Sequence, residues 1–465
     1  MRVFNLHVYK FLSGRGYVVL FSLIYAAVIG TLFYPGLLYS DSVFRWNTAI
    51  LVANSGLDAL VGVSDHNPIF PILLMSVFYK VTGEIGLFSI TQVLFFSGSF
   101  FFLVRHFSPT LKGNLFASIA LLLPVNQVYS IFISFDSLFS VFLICLILSL
   151  LINGRKKLLL VPVIFSVLVG IRINSVVILP FVLWILYNQT RDFRRIERLA
   201  SVLVCVFLVA AMMYLPNALR MQKGGSWLIG TAWEYANMAT KTHDEKHISF
   251  LKSFGASPEI IESGICYHGI WCGKEYSEFI AKVPNERGVE LVKNYTSILI
   301  NYPRIFITEK MKYIQSLMGV GEYNLQNAEI GRWREEAWKN LMEPIGFKSS
   351  INKENFINRF FDFSGTTGKF LFKPWIVLCM FFIAACYLRR FKPNSLTIAL
   401  IPTLYYGTFF ITSQNHELRY FFPVVLIFLA YISASCAVIC GQLSQLVLNK
   451  YALIVNVKNS KKVEL

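Results

Sequence analysis

Residues 17–46 read YVVLFSLIYAAVIGTLFYPGLLYSDSVFRW. No charge appears in this stretch until Asp41 and Arg45. About 20 apolar residues cross a hydrocarbon layer as a helix, because a helix satisfies its backbone polar groups internally. The run is too long for a signal-peptide core and no small-residue cleavage site follows it, so it reads as a retained anchor. Nine further apolar runs follow: 86–104, 113–132, 137–153, 158–171, 174–188, 199–216, 370–388, 394–412 and 421–447. The runs 158–171 and 174–188 are short and meet at Arg172 and Asn174, so one interrupted span is an alternative reading. Composition agrees: of 465 residues 55% are hydrophobic and 15% charged, against about 25% charged in soluble domains. The sequence predicts an all-α integral membrane protein of about ten transmembrane helices.

The charges decide sidedness. The chain carries 43 Lys and Arg against 26 Asp and Glu, a net +17. In a soluble protein such an excess suggests nucleic acid as a partner. Here residues 217–368 hold 18 basic and 17 acidic residues, so the excess sits in the apolar remainder. It falls in short loops, at Arg105, Lys112, Arg155 to Lys157, Arg191 to Arg198 and Arg389 to Lys392, and in the tail. Lys and Arg in short loops mark the cytoplasmic side, which places both termini there and removes the nucleic-acid reading. This holds if the 14-residue Pro68–Val81 stretch, with its two prolines, lies in the interface rather than spanning. The first outer loop is then 39–85, amphipathic in its second half, and a larger hydrophilic region occupies 217–369.

That larger region, with five of the eight tryptophans among mixed charges, reads as a mainly helical soluble domain. Its Val292–Met318 stretch is amphipathic and basic, which fits either a membrane-surface helix or a helix packed within the domain. Residues 1–216 form an N-terminal transmembrane module, 370–447 the C-terminal helices and 448–465 a cytoplasmic tail. Six cysteines, Cys145, Cys205, Cys379, Cys386, Cys436 and Cys440, lie in predicted spans as small apolar residues. Cys266 and Cys272, in CYHGIWC, sit in the outer region, where an oxidising compartment permits the predicted disulfide. A metal site using His268 lacks a fourth ligand.

Chemistry-bearing residues gather at the outer ends of the spans. Asp41 lies at the water edge of the first span, with Arg45 one helical turn later. Asp65 and His66 precede Pro68, and Asp136 in ISFDSLFS opens the fourth span. Three carboxylates on one membrane face could supply a general base, a metal ligand or a partner for a hydroxyl. N-capping is the structural alternative, for Asp41 and Asp136 above all. Arg172 in VGIRINSV, with Asn174 beside it, interrupts an apolar run, and Arg419 lies in NHELRYFFP with His416, Glu417 and Tyr420. Charge at membrane depth is costly and marks function with a partner. A guanidinium suits bidentate phosphate contact. Two ion pairs, Arg172 with Asp136 and Arg419 with Glu417, are the structural alternative.

In order and sidedness these motifs resemble the C-type membrane glycosyltransferases, integral enzymes that use polyprenyl-phosphate sugars as donors. The resemblance covers residues 17–216 and 370–447, and is nearest to the phage-type, serotype-converting O-antigen glucosyltransferases. It implies transfer of a sugar, glucose by analogy, from undecaprenyl phosphate to O-antigen or a similar surface glycan. The reaction would take place on the periplasmic face of a bacterial inner membrane. Asp41 then matches the essential acid, as base toward the acceptor hydroxyl, with Asp65, His66 and Asp136 as further catalytic positions. Arg172 and Arg419 match the phosphate-binding cations, with Arg45, Asn174, His416, Glu417 and Tyr420 as the surrounding substrate contacts. A divalent metal is possible in this family. The implied partners are the lipid donor, the polysaccharide acceptor, the bilayer, a flippase and a donor-synthesising enzyme. The first loop lacks the paired acid of protein mannosyltransferases, and no WWD signature of oligosaccharyltransferases occurs, which favours a glycan acceptor over a protein. No Gly-rich phosphate loop is present, in keeping with a nucleotide-free compartment. An O-antigen polymerase or ligase shares the span count and the large loop but is expected to rely on Arg and His within that loop. A lipid-linked glycan flippase or transporter predicts inverted repeats, and none is visible.

Overall fold

A computed structural model describes residues 14–37, 40–64, 67–222, 226–253, 274–321, 373–412 and 418–463. The described residues fold into helices, without a β-strand and with two isolated bridges, Leu37 to Phe132 and Ser64 to Gln222. Helix α1 spans Arg15–Leu32, α2 Ser40–Ser55, α3 Ile69–Thr82 and α4 Gly86–Phe107. Then come α5 Leu111–Leu121, α6 Pro124–Ile131, α7 Phe135–Leu151, α8 Lys157–Ile171, α9 Leu179–Gln189 and α10 Arg195–Ala218. The hydrophilic region supplies α11 Ser226–Thr242, α12 Glu245–Lys252, α13 Lys274–Asn301 and α14 Pro303–Met318. The chain closes with α15 Pro374–Arg389, α16 Ser395–Gly407, α17 Phe409–Thr412 and α18 Leu418–Val463.

Each of the ten apolar runs is mainly helical among the described residues. Four helices are long and apolar enough to cross a membrane on their own, α1, α4, α10 and the Leu418–Lys450 part of α18. The others are shorter. Their surfaces carry the membrane signature. Helix α1 buries Val18, Ser22, Tyr25, Ala26 and Ile29 on one face, while Val19, Leu23 and Ile24 on the other are about half exposed. Helix α10 is barely buried, and Leu203 and Phe207 stand 67% and 70% exposed. A helix apolar all round is stable only inside a core or in lipid. The central pillar is α18, whose Phe421 to Phe428 are almost fully buried; it packs against α4, α5, α7, α15 and α16.

The run 113–132, read from sequence as a straight span, is instead an elbow of 72° between α5 and α6. Pro124 at the start of α6 has no N–H to continue α5. Side chains satisfy the carbonyls thus released: Asn126 Nδ2 donates to the Ala120 carbonyl at 2.8 Å and Gln127 Nε2 to Leu122 at 2.8 Å. The break at Arg172 has the same logic. Helix α8 ends there with an extended residue (φ −144°, ψ 110°), a 3-10 turn over Ile173–Ile178 follows, and then α9.

Helix α3 covers the Pro68–Val81 stretch expected at the interface. Its 14 residues reach about 21 Å. It leans on α2, with Trp46 edge-on to Tyr79 at 5.6 Å, and on α8. Helices α11 to α14 gather around a second core of Tyr235, Met238, Phe250, Leu251, Leu291 and Ile298, separate from the main one. Helix α14 belongs to both. Ile305 and Phe306 face the second core, whereas Tyr313 and Leu317 are part of the main core. For Val292–Met318 the inner face therefore packs within the domain. Its outer face leaves Ile300 and Ile307 more than half exposed.

Candidate functional site

The short segment between α1 and α2 runs beside the segment between α6 and α7. Leu37 N donates to the Ile131 carbonyl and Ile133 N to the Leu37 carbonyl. Ser42 Oγ donates to the Ile133 carbonyl, and Gln92 Nε2 of α4 donates to the carbonyls of Ser130 and Phe132. These bonds bring the first turn of α2, which holds the Asp41 backbone, next to the first turn of α7, which holds Asp136. The side chains of Asp41, Asp65, His66, His416 and Glu417 lie outside the described residues.

The capping reading of Asp136 is corrected. Ser134 is the N-cap of α7, its hydroxyl accepting from Ser137 N at 3.1 Å. Asp136, two residues further in and fully buried, is free to face another element. Its carboxylate takes a hydrogen bond from Arg172 Nη2, forming a buried ion pair. The pair joins the start of α7 to the end of α8. It stays incomplete, because Asp136 Oδ2 and Arg172 Nε make no hydrogen bond among the described residues.

Two more guanidiniums stand close by. Arg45, 2% exposed, lies 4.3 Å from the centre of the Phe135 ring, the same ring that Arg172 approaches at 4.4 Å. Arg172 also faces Tyr420 at 5.1 Å and Phe409 at 5.4 Å. Arg419 lies 5.0 Å from the Tyr420 ring, and its Nη2 donates to the Tyr420 hydroxyl at 3.2 Å. Phe409 stacks on Tyr420 at 4.7 Å, and Tyr405, fully buried, meets Phe409 edge-on. Aromatic faces attract cations where water is excluded, so these rings hold the guanidiniums together without neutralising them.

Of the residues singled out from sequence, Arg45, Asp136, Arg172, Arg419 and Tyr420 therefore converge at one end of the bundle. Asn174 lies two residues beyond Arg172 in the 3-10 turn. Phe135, Tyr405 and Phe409 are part of the same cluster, and sequence reasoning missed them. The signal was the aromatic run YYGTFF at 405–410 and the Phe directly before Asp136, both indistinguishable from lipid-facing aromatics without the tertiary contacts. The six cysteines of the apolar helices are unbridged, as expected. Cys266, Cys272 and His268 lie outside the described residues. No group of three or more metal-ligating side chains occurs among the described residues.

The α11–α14 helices overhang this end of the bundle, α11 packing on α17 and α14 on both α15 and α17. Their charges are organised differently. Glu309 accepts from Asn237 Nδ2 at 3.1 Å, Lys312 Nζ at 2.9 Å and Lys241 Nζ. Burial pushes its carboxyl up, but these donors hold it below the usual range. Glu234 accepts from Tyr295 at 2.7 Å and from Lys310; there burial wins, and its carboxyl titrates above the usual range. Buried His247 shares a hydrogen bond with the Tyr235 hydroxyl at 3.0 Å, and Asp244 caps α12.

Comparison with protein-family models, curated proteins and solved structures finds no match to this chain.

Proposed function

We propose that this protein is a polytopic membrane glycosyltransferase of the C type. In this reading it transfers a sugar from a polyprenyl-phosphate donor, undecaprenyl phosphate by resemblance, to a surface glycan such as O-antigen on the outer face of a bacterial inner membrane. The observation that carries the proposal is the convergence of Arg45, Arg172 and Arg419 around the buried Asp136 at one end of an apolar helical bundle. A departing lipid phosphate needs cations placed in a water-poor site, where they act far more strongly than in water. A guanidinium supplies them in a geometry matched to phosphate oxygens.

The ion pair refines the roles. A carboxylate bonded to Arg172 is engaged in aiming that guanidinium, so Asp136 acts as a positioning residue and Arg172 as the phosphate ligand. The base that accepts the proton of the incoming hydroxyl is then Asp41, in the first turn of α2 beside α7. The acceptor oxygen attacks the anomeric carbon, the bond to the phosphate oxygen breaks, and the phosphate leaves toward the arginines. Single displacement of this kind inverts the anomeric centre. The overhanging α11–α14 helices would shape the acceptor side.

The test is Asp41→Asn. The variant is expected to insert and accumulate normally while transfer to surface polysaccharide is lost, read from its sugar composition. Full transfer by the variant would remove the assigned role.

A further inference from the structure

Three of the helices that carry the arginine cluster at one end line an open cavity of about 460 Å3 at the other. Helix α7 starts at Asp136 and ends at the cavity wall with Leu150 and Leu151; α8 starts in the wall with Lys157 and ends at Arg172. Helix α16 starts in the wall with Ser395 and leads to Phe409. The 17 residues of α7 separate the two ends by about 25 Å, close to the thickness of a hydrocarbon layer. If one end meets one membrane surface, the cavity meets the other.

The cavity wall has a definite chemistry. It holds two lysines, one histidine and four side-chain amides, and no carboxylate. Lys157 is 6% exposed, and its only described hydrogen bond runs to the Leu150 carbonyl at a long 3.4 Å. The Lys392 side chain makes no hydrogen bond or ion pair among the described residues, although it lines the same space. Gln189 buries an amide oxygen that accepts no hydrogen bond among the described residues. Two ammonium groups facing one cavity without an acid repel each other, a cost that an anionic ligand removes. Basic pockets between membrane helices on the cytoplasmic side take phosphate headgroups.

We infer that this cavity is a binding site for a phosphate ester, held by Lys157 and Lys392. Two sources share that chemistry, an anionic phospholipid headgroup and a free phosphate ester. The inference stands apart from the proposed sugar transfer, since it uses residues at the opposite end and is read by binding alone.

The experiment uses the full chain in non-ionic detergent micelles. Thermal unfolding is followed while dioleoylphosphatidylglycerol, or separately glycerol 3-phosphate, is titrated in, with dioleoylphosphatidylcholine as the zwitterionic control. A ligand bound by the folded state raises the midpoint saturably. The expected result is a saturable rise with phosphatidylglycerol that exceeds the phosphatidylcholine effect. Affinity should weaken about tenfold in Lys392→Gln, as for loss of one charge-assisted hydrogen bond, and stay unchanged in Arg390→Gln, which removes an equal charge outside the cavity wall. The Lys392 side chain makes no described bond and its charge repels Lys157, so the unliganded midpoint of Lys392→Gln should not fall below that of the parent; Lys157→Gln serves as the second variant. Saturation by glycerol 3-phosphate as well identifies a soluble ester as the source, and saturation by the lipid alone identifies a headgroup. The inference is overturned if neither probe saturates, if phosphatidylcholine matches phosphatidylglycerol, or if Arg390→Gln weakens binding as much as Lys392→Gln.

Discussion

Buried carboxylates occur both in the apolar bundle and in the α11–α14 helices, and they are treated in opposite ways. Glu309 is surrounded by three donors, two of them lysines, and Glu234 by a lysine and a tyrosine. Asp136, more deeply buried than either, has one described donor, and both it and Arg172 keep an unmatched polar atom. A satisfied buried network rigidifies a fold, whereas a partly satisfied one carries a cost. The contrast separates carboxylates that tie α11, α13 and α14 together from an ion pair with polar atoms still to be matched.

Six substitutions probe this contrast. The largest effect is expected at Arg172. Arg172→Ala leaves Asp136 buried and alone, which destabilises the bundle by about 3–5 kcal/mol. Combining it with Asp136→Asn should restore much of the midpoint in thermal unfolding while transfer remains absent. If the double variant transfers sugar, the pair is structural, like its counterparts in the overhanging helices. Next, Arg419→Gln should lower transfer by about 10²–10³, roughly 2.7–4 kcal/mol of transition-state stabilisation, with little change in the unfolding midpoint. An equal loss of stability would erase the distinction between the two regions.

Glu309→Gln should act the other way, costing about 1–3 kcal/mol because donors lose their charged acceptor. That cost should appear as faster amide exchange in α11 and α14. The pH dependence follows from the depressed carboxyl of Glu309. Its folded value lies below the unfolded one, so it contributes stability that is present above the usual carboxylate range and is lost as pH falls through the folded value. Glu234, raised by burial, opposes this. The acid sensitivity of α11 and α14 should therefore flatten in Glu309→Gln and persist in Glu234→Gln. The smallest effect is expected for Ser134→Ala, which removes the α7 cap and costs about 1 kcal/mol. Because Asp136 is not the cap, this change should lower the midpoint without abolishing transfer.

Much of the bundle could be read from the residues alone, since a continuous apolar run leaves the backbone no partner but itself. That constraint located all ten helical runs and the interruption at Arg172. It also made Arg172 and Asp136 candidates, because a charge within such a run needs a partner, and the ion pair stood as an explicit alternative. The elbow at Pro124 escaped because a proline can be absorbed within a membrane helix, and its bend depends on whether Asn126 and Gln127 find carbonyls to satisfy. Capping of α7 stood as an alternative for Asp136 because two capping residues, Ser134 and Asp136, lie within three positions, and the bond from Ser137 N to the Ser134 hydroxyl decides between them. The rings of Phe135, Tyr405 and Phe409 were invisible for a different reason: among 42 phenylalanines and 22 tyrosines, nothing in the spacing tells a ring that holds a cation from one that faces lipid.

The elbow between α5 and α6 has a consequence for depth. The 11 residues of α5 advance about 16 Å, and the eight of α6, turned by 72°, add only about 4 Å along the same axis. Their joint reach is thus about 20 Å, against a hydrocarbon layer of about 30 Å. Past α6 the chain enters α7 without regaining that height, so with α5 starting at one membrane surface Asp136 would lie below the headgroups of the other. A hydroxyl coming from water would have to descend to that depth, while a phosphate carried on a lipid would approach sideways at nearly its own level. Depth alone would then favour the lipid-borne substrate before any side chain touches it.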